Sequence, residues 1–302
     1  MYELAILARG GVLLTVWALA AGWPPGRLAA RLRRDGWQRI CRGAWAVPGK
    51  ETDWRVRETA LQLLRPRYVC HHGTAARLHR IEVLTGAGPV RGSGSSAGAG
   101  SRASLPPGDV CLRRGLRVTT AARTAADLIR ASGSREEAVV TADSALSRRV
   151  VEGVRRDPPV RYEELAAQLS VRRPGAPRAR AWLRLADPAA GSPAETVARL
   201  RMADASLFPE SQPPLRTPAG RPLHPDFLFR AAGLAVEVEG YAYHGTPRAH
   251  ERDIARFNAL QSCPEVHRVL RFTAREVFTR PDRMTATVRT ALEELGAATR
   301  AT

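Results

Sequence analysis

The stretch LAVEVEG, residues 234–240, restricts the fold more than any other part of this chain. Apolar and acidic residues alternate with period two, the pattern of a strand with one dry face. Val236 and Val238 then point to one side and Glu237 and Glu239 to the other, the two glutamates about 7 Å apart. Upstream, Pro225-Asp226 opens a second apolar run, FLF, which puts a third acid at the end of a neighbouring strand. Like charges set side by side repel one another and resist burial. A divalent cation resolves that repulsion, because ions such as Mg²⁺ take oxygen ligands, commonly a few carboxylates completed by water and phosphate. An amphipathic edge strand with two solvated glutamates satisfies the same alternation.

The setting of these acids is basic. Of 302 residues, 47 are Lys or Arg and 29 are Asp or Glu, a net charge of +18 carried almost entirely by arginine. That balance points to a polyanionic partner, nucleic acid before membrane; a general use of arginine where other chains use lysine has the same effect on composition. The length suits two or three domains, and 44% apolar residues are enough for sizeable cores. Cys41, Cys70, Cys111 and Cys263 form no CxxC pair, and Cys70-His71-His72 with His79 matches no usual zinc spacing. The longest apolar run, VLLTVWALAAG at 12–22, is too short to span a bilayer. It has the character of a signal-peptide core, but the segment before it lacks a positive cluster. The expectation is a cytoplasmic, reduced protein with no membrane partner.

Three segments are expected. In 1–52, YELAILAR reads as a helix ended by Gly10-Gly11, Thr15 can cap a second helix, and Pro24-Pro25 start a third. In that third helix Leu28 and Leu32 mark the apolar face, while Arg27, Arg31, Arg33 and Arg34 lie largely elsewhere. WQRICRGAWAV comes next as two short strands around Arg42-Gly43. Helix, helix, basic helix, hairpin is the order of a winged helix-turn-helix, whose third helix enters the major groove of double-stranded DNA while the hairpin touches backbone. Any basic amphipathic helix on a solvated face offers the same composition. Segment 53–185 is mixed α/β, with a flexible low-complexity loop at 86–108 and helices expected at DWRVRETALQLLRP, HHGTAARLHRI, ARTAADLIRA and REEAVVTADSALSRRVV. Its Asp127 and Asp143 are single helix acids suited to ion pairs or capping. Segment 186–302 reads αββαβα, a mixed sheet flanked by helices.

Several residues frame the acids. Gly240 directly succeeds the strand, and His244 stands four residues beyond it. Ser192-Pro193-Ala194-Glu195 is a capping box with proline at the first helical position, so Glu195 serves either as that cap or as a helix-borne acid of the site. In the next helix Arg252 can reach a phosphate, and Asp253 suits a local ion pair. Arg271 lies in a strand pattern, where it can face the site or hold a structural ion pair. Tyr241 and Tyr243 can stack on bases or pack.

Taken together, HPDFLF, LAVEVEGYAYH, ERDIARFNAL and VLRFT resemble the very-short-patch-repair-like endonucleases, a branch of the PD-(D/E)XK nuclease class. The resemblance covers about a third of the chain. It implies an α/β/α restriction-endonuclease-like core at 186–302 and cleavage of DNA phosphodiesters dependent on Mg²⁺ or Mn²⁺. It assigns Asp226 and Glu237 as metal-binding acids and Glu195 as the helix acid of the broader class. His244 becomes a general base or a phosphate contact. Glu239 stands where the class has lysine and this branch commonly has aspartate, so a lysine-positioned water is ruled out, and Glu239 or His244 must activate the water. The N-terminal segment resembles the winged-helix domain of AbiEi-type antitoxins, which are transcriptional autorepressors. The middle segment resembles the region C-terminal to the winged helix in that family.

Two expectations result. One is a metal-dependent DNA endonuclease brought to duplex DNA by its winged helix, with metal at Asp226, Glu237 and Glu239 and DNA contacts at Arg27, Arg31, Arg33, Arg34, Arg42, Arg252 and Arg271. The other is a non-enzymatic DNA-binding regulator of antitoxin type with a degenerate nuclease fold, paired with a toxin gene. A homodimer is open under both.

Overall fold

The computed structural model describes residues 3–84, 105–239 and 247–301. Most of the low-complexity loop expected at 86–108 lies outside them. The protein is mixed α/β, 48% helix and 18% strand, in two compact units: Met1–His79 with Gly88–Thr124, and Arg80–Ala87 with Ala125–Thr302. This grouping differs from the three segments read from sequence, placing 53–79 with the first segment and 125–185 with the last.

The first unit opens with β1 (Val12–Leu14), α1 (Thr15–Ala20), α2 (Pro25–Arg34), β2 (Gln38–Cys41) and β3 (Ala44–Ala46). The three strands form one antiparallel sheet in the order β1-β3-β2. The helix expected at 2–9 is absent: the described residues there form turns with i→i+3 bonds, such as Ile6 N–H to Glu3 C=O at 3.0 Å. A run this short cannot sustain a helix unaided. Gly10 and Gly11, at φ 58° and 82°, instead turn the chain so that VLL pairs with β3. Thr15 is the first residue of α1 rather than its cap, and its Oγ1 accepts from Trp45 Nε1 at 3.3 Å. In α2, Pro25 starts the helix and Leu28 and Leu32 are buried beside Leu13, Trp37 and Trp45. Arg27, Arg31, Arg33 and Arg34 are all exposed.

Helix α3 (Trp54–Leu64) is capped by Asp53, whose carboxylate accepts from Val56 N–H at 2.9 Å. Its Val56 and Ala60 pack with Val12, Leu14, Ala44 and Ala46, which is why it belongs to this unit. Then come α4 (His72–His79), the hairpin β4 (Val110–Arg113) and β5 (Leu116–Thr119), and α5 (Ala121–Ala131), within which the division of the units falls. The Cys70 thiol faces buried Glu58, and His79 Nε2 bonds Thr119 C=O at 2.8 Å.

The second unit contains α6 (Arg135–Leu146), β6 (Arg149–Val151), β7 (Val154–Arg156), α7 (Tyr162–Ser170), α8 (Ala176–Leu183) and α9 (Pro193–Asp204). The helix expected through Val151 ends at Leu146, because RVV pairs antiparallel with VRR across the Glu152-Gly153 turn. Next come β8 (Glu210–Ser211), β9 (Leu215–Arg216), β10 (Pro222–Leu223), β11 (Phe227–Phe229), β12 (Leu234–Glu239), α10 (Pro247–Gln261), β13 (Arg268–Thr273), α11 (Ala274–Thr279) and α12 (Pro281–Ala301). The main sheet runs β13-β12-β11-β8, with β12 and β13 parallel and the other pairs antiparallel. The expected order of helices and strands is present, with short strands added before β11 and the short helix α11 added between β13 and the closing helix.

Alternation along the strands sorts the sheet's two faces. Phe227, Leu234, Val236, Val238 and Phe272 pack with Val197 and Met202 of α9, Val277 of α11 and Met284 of α12. Val140 of α6 joins that core, which ties α6 to this unit. Leu228 and Ala235 face the other way, with Leu260 of α10 and Val266. Glu237 and Glu239 share the parity of Ala235 and therefore lie on the α10 side. The return from β11 to β12 is tight: Gly233 sits at φ 63°, and a Cβ there would come within 2.7 Å of the His267 ring. Among the described residues, no helix is long and apolar enough to cross a membrane.

Candidate functional site

Three elements bring acids together at the C-terminal end of β12. Glu195 comes from the first turn of α9, Asp226 from the residue before β11, and Glu237 from β12 itself. Asp226 is 8% exposed and Glu195 7%, a degree of burial that carboxylates rarely reach without partners.

Their partners are specific. Asp226 Oδ2 accepts from Val238 N–H at 2.7 Å, which clips the strand end to β12. Asp226 N–H donates to Glu237 Oε1 at 3.3 Å. The amide of Gln212 donates to Glu195 Oε2 at 3.0 Å and to Asp226 Oδ1 at 2.9 Å, so a neutral group stands between two acids. Gln212 also donates its own N–H to Asp226 C=O at 3.0 Å, and it holds φ 48°, a left-handed conformation that glutamine seldom adopts. Arg256 of α10 supplies the cation: its Nη2 lies 3.1 and 3.0 Å from the two oxygens of Glu237 and 2.9 Å from His224 C=O.

Burial drives the carboxyl of Asp226 well above the usual carboxylate range, and the charges of Glu195 and Glu237 push it further; the Val238 amide and Arg256 oppose this. Burial raises Glu237 as well, against the opposing pull of Arg256. Repulsion is thus relieved only in part by the protein's own groups.

Glu239 points the same way as Glu237 but is more exposed, and it forms an ion pair with Arg271 of β13. The Arg271 guanidinium lies 5.0 Å from the ring centre of Phe257, the residue after Arg256 on α10. Each glutamate of the alternating strand therefore has its own arginine.

The geometry gathers Glu195, Asp226 and Glu237, with Glu239 and Arg271 alongside. Glu195 sits in the first turn of α9 as the capping pattern requires: its N–H is capped by Ser192 Oγ at 3.2 Å, while its carboxylate accepts from Gly191 N–H at 2.8 Å and from Gln212. The return bond goes to Gly191 rather than to the cap residue's own N–H. His244, Gly240, Tyr241 and Tyr243 lie outside the described residues, as does the side chain of Arg252. Asp253 is exposed. Gln212 and Arg256 were not singled out from sequence. Arg256 had a legible signal, since it lies one helical turn after Arg252 and shares its face. Gln212 had none, because its role depends on a strand pairing between β8 and β11.

In the first unit, the four exposed arginines of α2 are joined by exposed Arg39 and Arg42 of the hairpin. Arg31 pairs with Asp35 and lies 5.8 Å from the Trp23 ring centre; Arg33 lies 6.0 Å from that of Trp45.

The donor set at β12 is all oxygen and carries more negative charge than Arg256 neutralises, which suits a hard divalent cation. Among the described residues, however, no group of three or more His, Cys, Asp or Glu side chains is placed to hold a metal ion as it stands. Gln212 and Arg256 occupy oxygens that a cation would need. No family model, curated protein or solved structure matches the chain.

Proposed function

We propose that the protein is a metal-dependent DNA endonuclease, with a restriction-endonuclease-like core in its C-terminal unit and a winged helix at its N-terminus that holds duplex DNA. The observation that carries this reading is the convergence of buried Glu195 and Asp226 with the partly buried Glu237 from three separate elements. Asp226 and Glu237 would hold Mg²⁺ or Mn²⁺, with Glu195 and Glu239 beside them. Bound there, the ion would supply charge neutralisation at the phosphate and a lowered pKa for water. The chain's own groups do the rest. Arg271 and Arg256 orient phosphate oxygens, and Glu239 or His244 accepts the proton of the attacking water. Exposed Arg27, Arg31, Arg33, Arg34 and Arg42 contact the duplex backbone.

Incubation of purified protein with supercoiled plasmid and Mg²⁺ or Mn²⁺ tests the reading. Nicking is expected from wild type and only background from Asp226→Ala. An inactive wild type, or equal nicking by the variant, refutes it.

A second reading has its own support: both strand glutamates are already paired with arginine, as befits a nuclease fold retained as scaffold. The protein would then be a DNA-binding regulator of antitoxin type. It would bind an operator with no metal requirement, and the plasmid assay would stay blank.

A further inference from the structure

The acids of the site are not neutralised alike. Glu195 and Asp226 are bridged by the neutral amide of Gln212, whereas Glu237 and Glu239 are each matched by a guanidinium. The two cations are also seated differently. Arg271 is braced over Phe257. Arg256 reaches both Glu237 and the His224 carbonyl through a single terminal nitrogen, and its side chain is 42% exposed against 15% for Glu237. The carboxylate of this pair is mostly covered on β12, and the guanidinium stands half in water on a long, rotatable stem. An arginine so placed can leave its carboxylate where another cation replaces it there and another anion receives it.

We propose that Arg256 is a displaceable counterion: it neutralises Glu237 in the free protein and moves to a DNA phosphate when a divalent cation takes the carboxylate. This rests on the metal and DNA reading above. Cation and phosphodiester then each remove what opposes the other. The cation frees Arg256 for phosphate, and the phosphate draws Arg256 away from the cation's ligand. Binding of the two is coupled, and the coupling is reciprocal.

The test uses the full chain and binding rather than cleavage. Affinity for a short fluorescent DNA duplex is measured by anisotropy at constant ionic strength, with Ca²⁺ or without divalent ion, and Mn²⁺ affinity is measured by calorimetry without DNA. For wild type, Ca²⁺ is expected to tighten DNA binding about tenfold, within the usual range of such couplings. Arg256→Gln is expected to bind Mn²⁺ at least as tightly as wild type, because the competing cation is gone, and to lose most of the coupling. Arg256→Lys, which restores a charge without the planar fork, is expected to recover part of it. Absence of coupling in wild type overturns the proposal without need of any variant. Weaker Mn²⁺ binding by a folded Arg256→Gln also overturns it, since the arginine would then be supporting the site. Failure of the underlying reading looks different: wild type would bind no Mn²⁺, or Asp226→Ala would bind it equally well. Plasmid nicking without coupling would leave the nuclease reading standing and remove this one.

Discussion

Two buried side chains show how single residues set the behaviour of the C-terminal unit. Asp143 of α6 is fully buried and accepts from Thr196 Oγ1 at 2.8 Å, Asp187 N–H at 2.7 Å and Arg199 Nη2 at 3.0 Å. Burial still outweighs these partners and pushes its carboxyl up from 3.8 to about 6. The native state therefore holds this proton more tightly than the unfolded chain does, so the group's contribution to stability falls as pH rises from about 4 to about 6 and is level on either side. The full span is on the order of 3 kcal/mol. Urea unfolding of wild type and Asp143→Asn across pH 4–7 should show that falling component in wild type only. Gln212 presents the other case. Gln212→Leu removes the one donor shared by two buried carboxylates, leaving Asp226 to Val238 N–H and Glu195 to Gly191 N–H, and a loss of about 1–3 kcal/mol is expected. Equal urea midpoints at pH 7 would show that the bridge contributes nothing.

At the scale of elements, α2 was the most legible. Pro24-Pro25 start it, Leu28 and Leu32 anchor it, and four arginines are left in solvent. If it holds DNA through backbone contacts, Arg31→Ala with Arg34→Ala should flatten the log affinity against log salt slope by roughly 2. Duplex titrations over a salt series measure this, and an unchanged slope places the contact elsewhere. Strand β12 was equally legible, since its alternation foretold which side Glu237 and Glu239 share. The first turn of the chain was not. YELAILAR is periodic enough for a helix, and VLL can begin a helix or form a buried strand; short apolar runs do not distinguish the two. The deciding contact is β1 against β3, which lies beyond Trp37 in the chain and is invisible to local pattern. RVV after α6 was lost to a local ambiguity instead, a short apolar run read as the end of a helix, although its partner, the VRR strand, lies just across the Glu152-Gly153 turn.

For the molecule as a whole, charge and alternation are properties of the sequence. The excess of arginine, the mixed helix and strand content and the placement of three acids near one strand end could all be read before folding. Which acids meet, and what stands between them, could not. Glu195 reaches Asp226 only because α9 packs across the β11–β12 face, and Gln212 reaches both only because β8 pairs with β11. The arginine partners are equally non-local: Glu237 takes Arg256 from a helix on one side and Glu239 takes Arg271 from a parallel strand. Local chemistry determined which residue types line the strand, because side-chain direction results from backbone period alone. Tertiary packing decided their partners and their burial, because low-dielectric surroundings and counter-charges are supplied by segments distant in the chain.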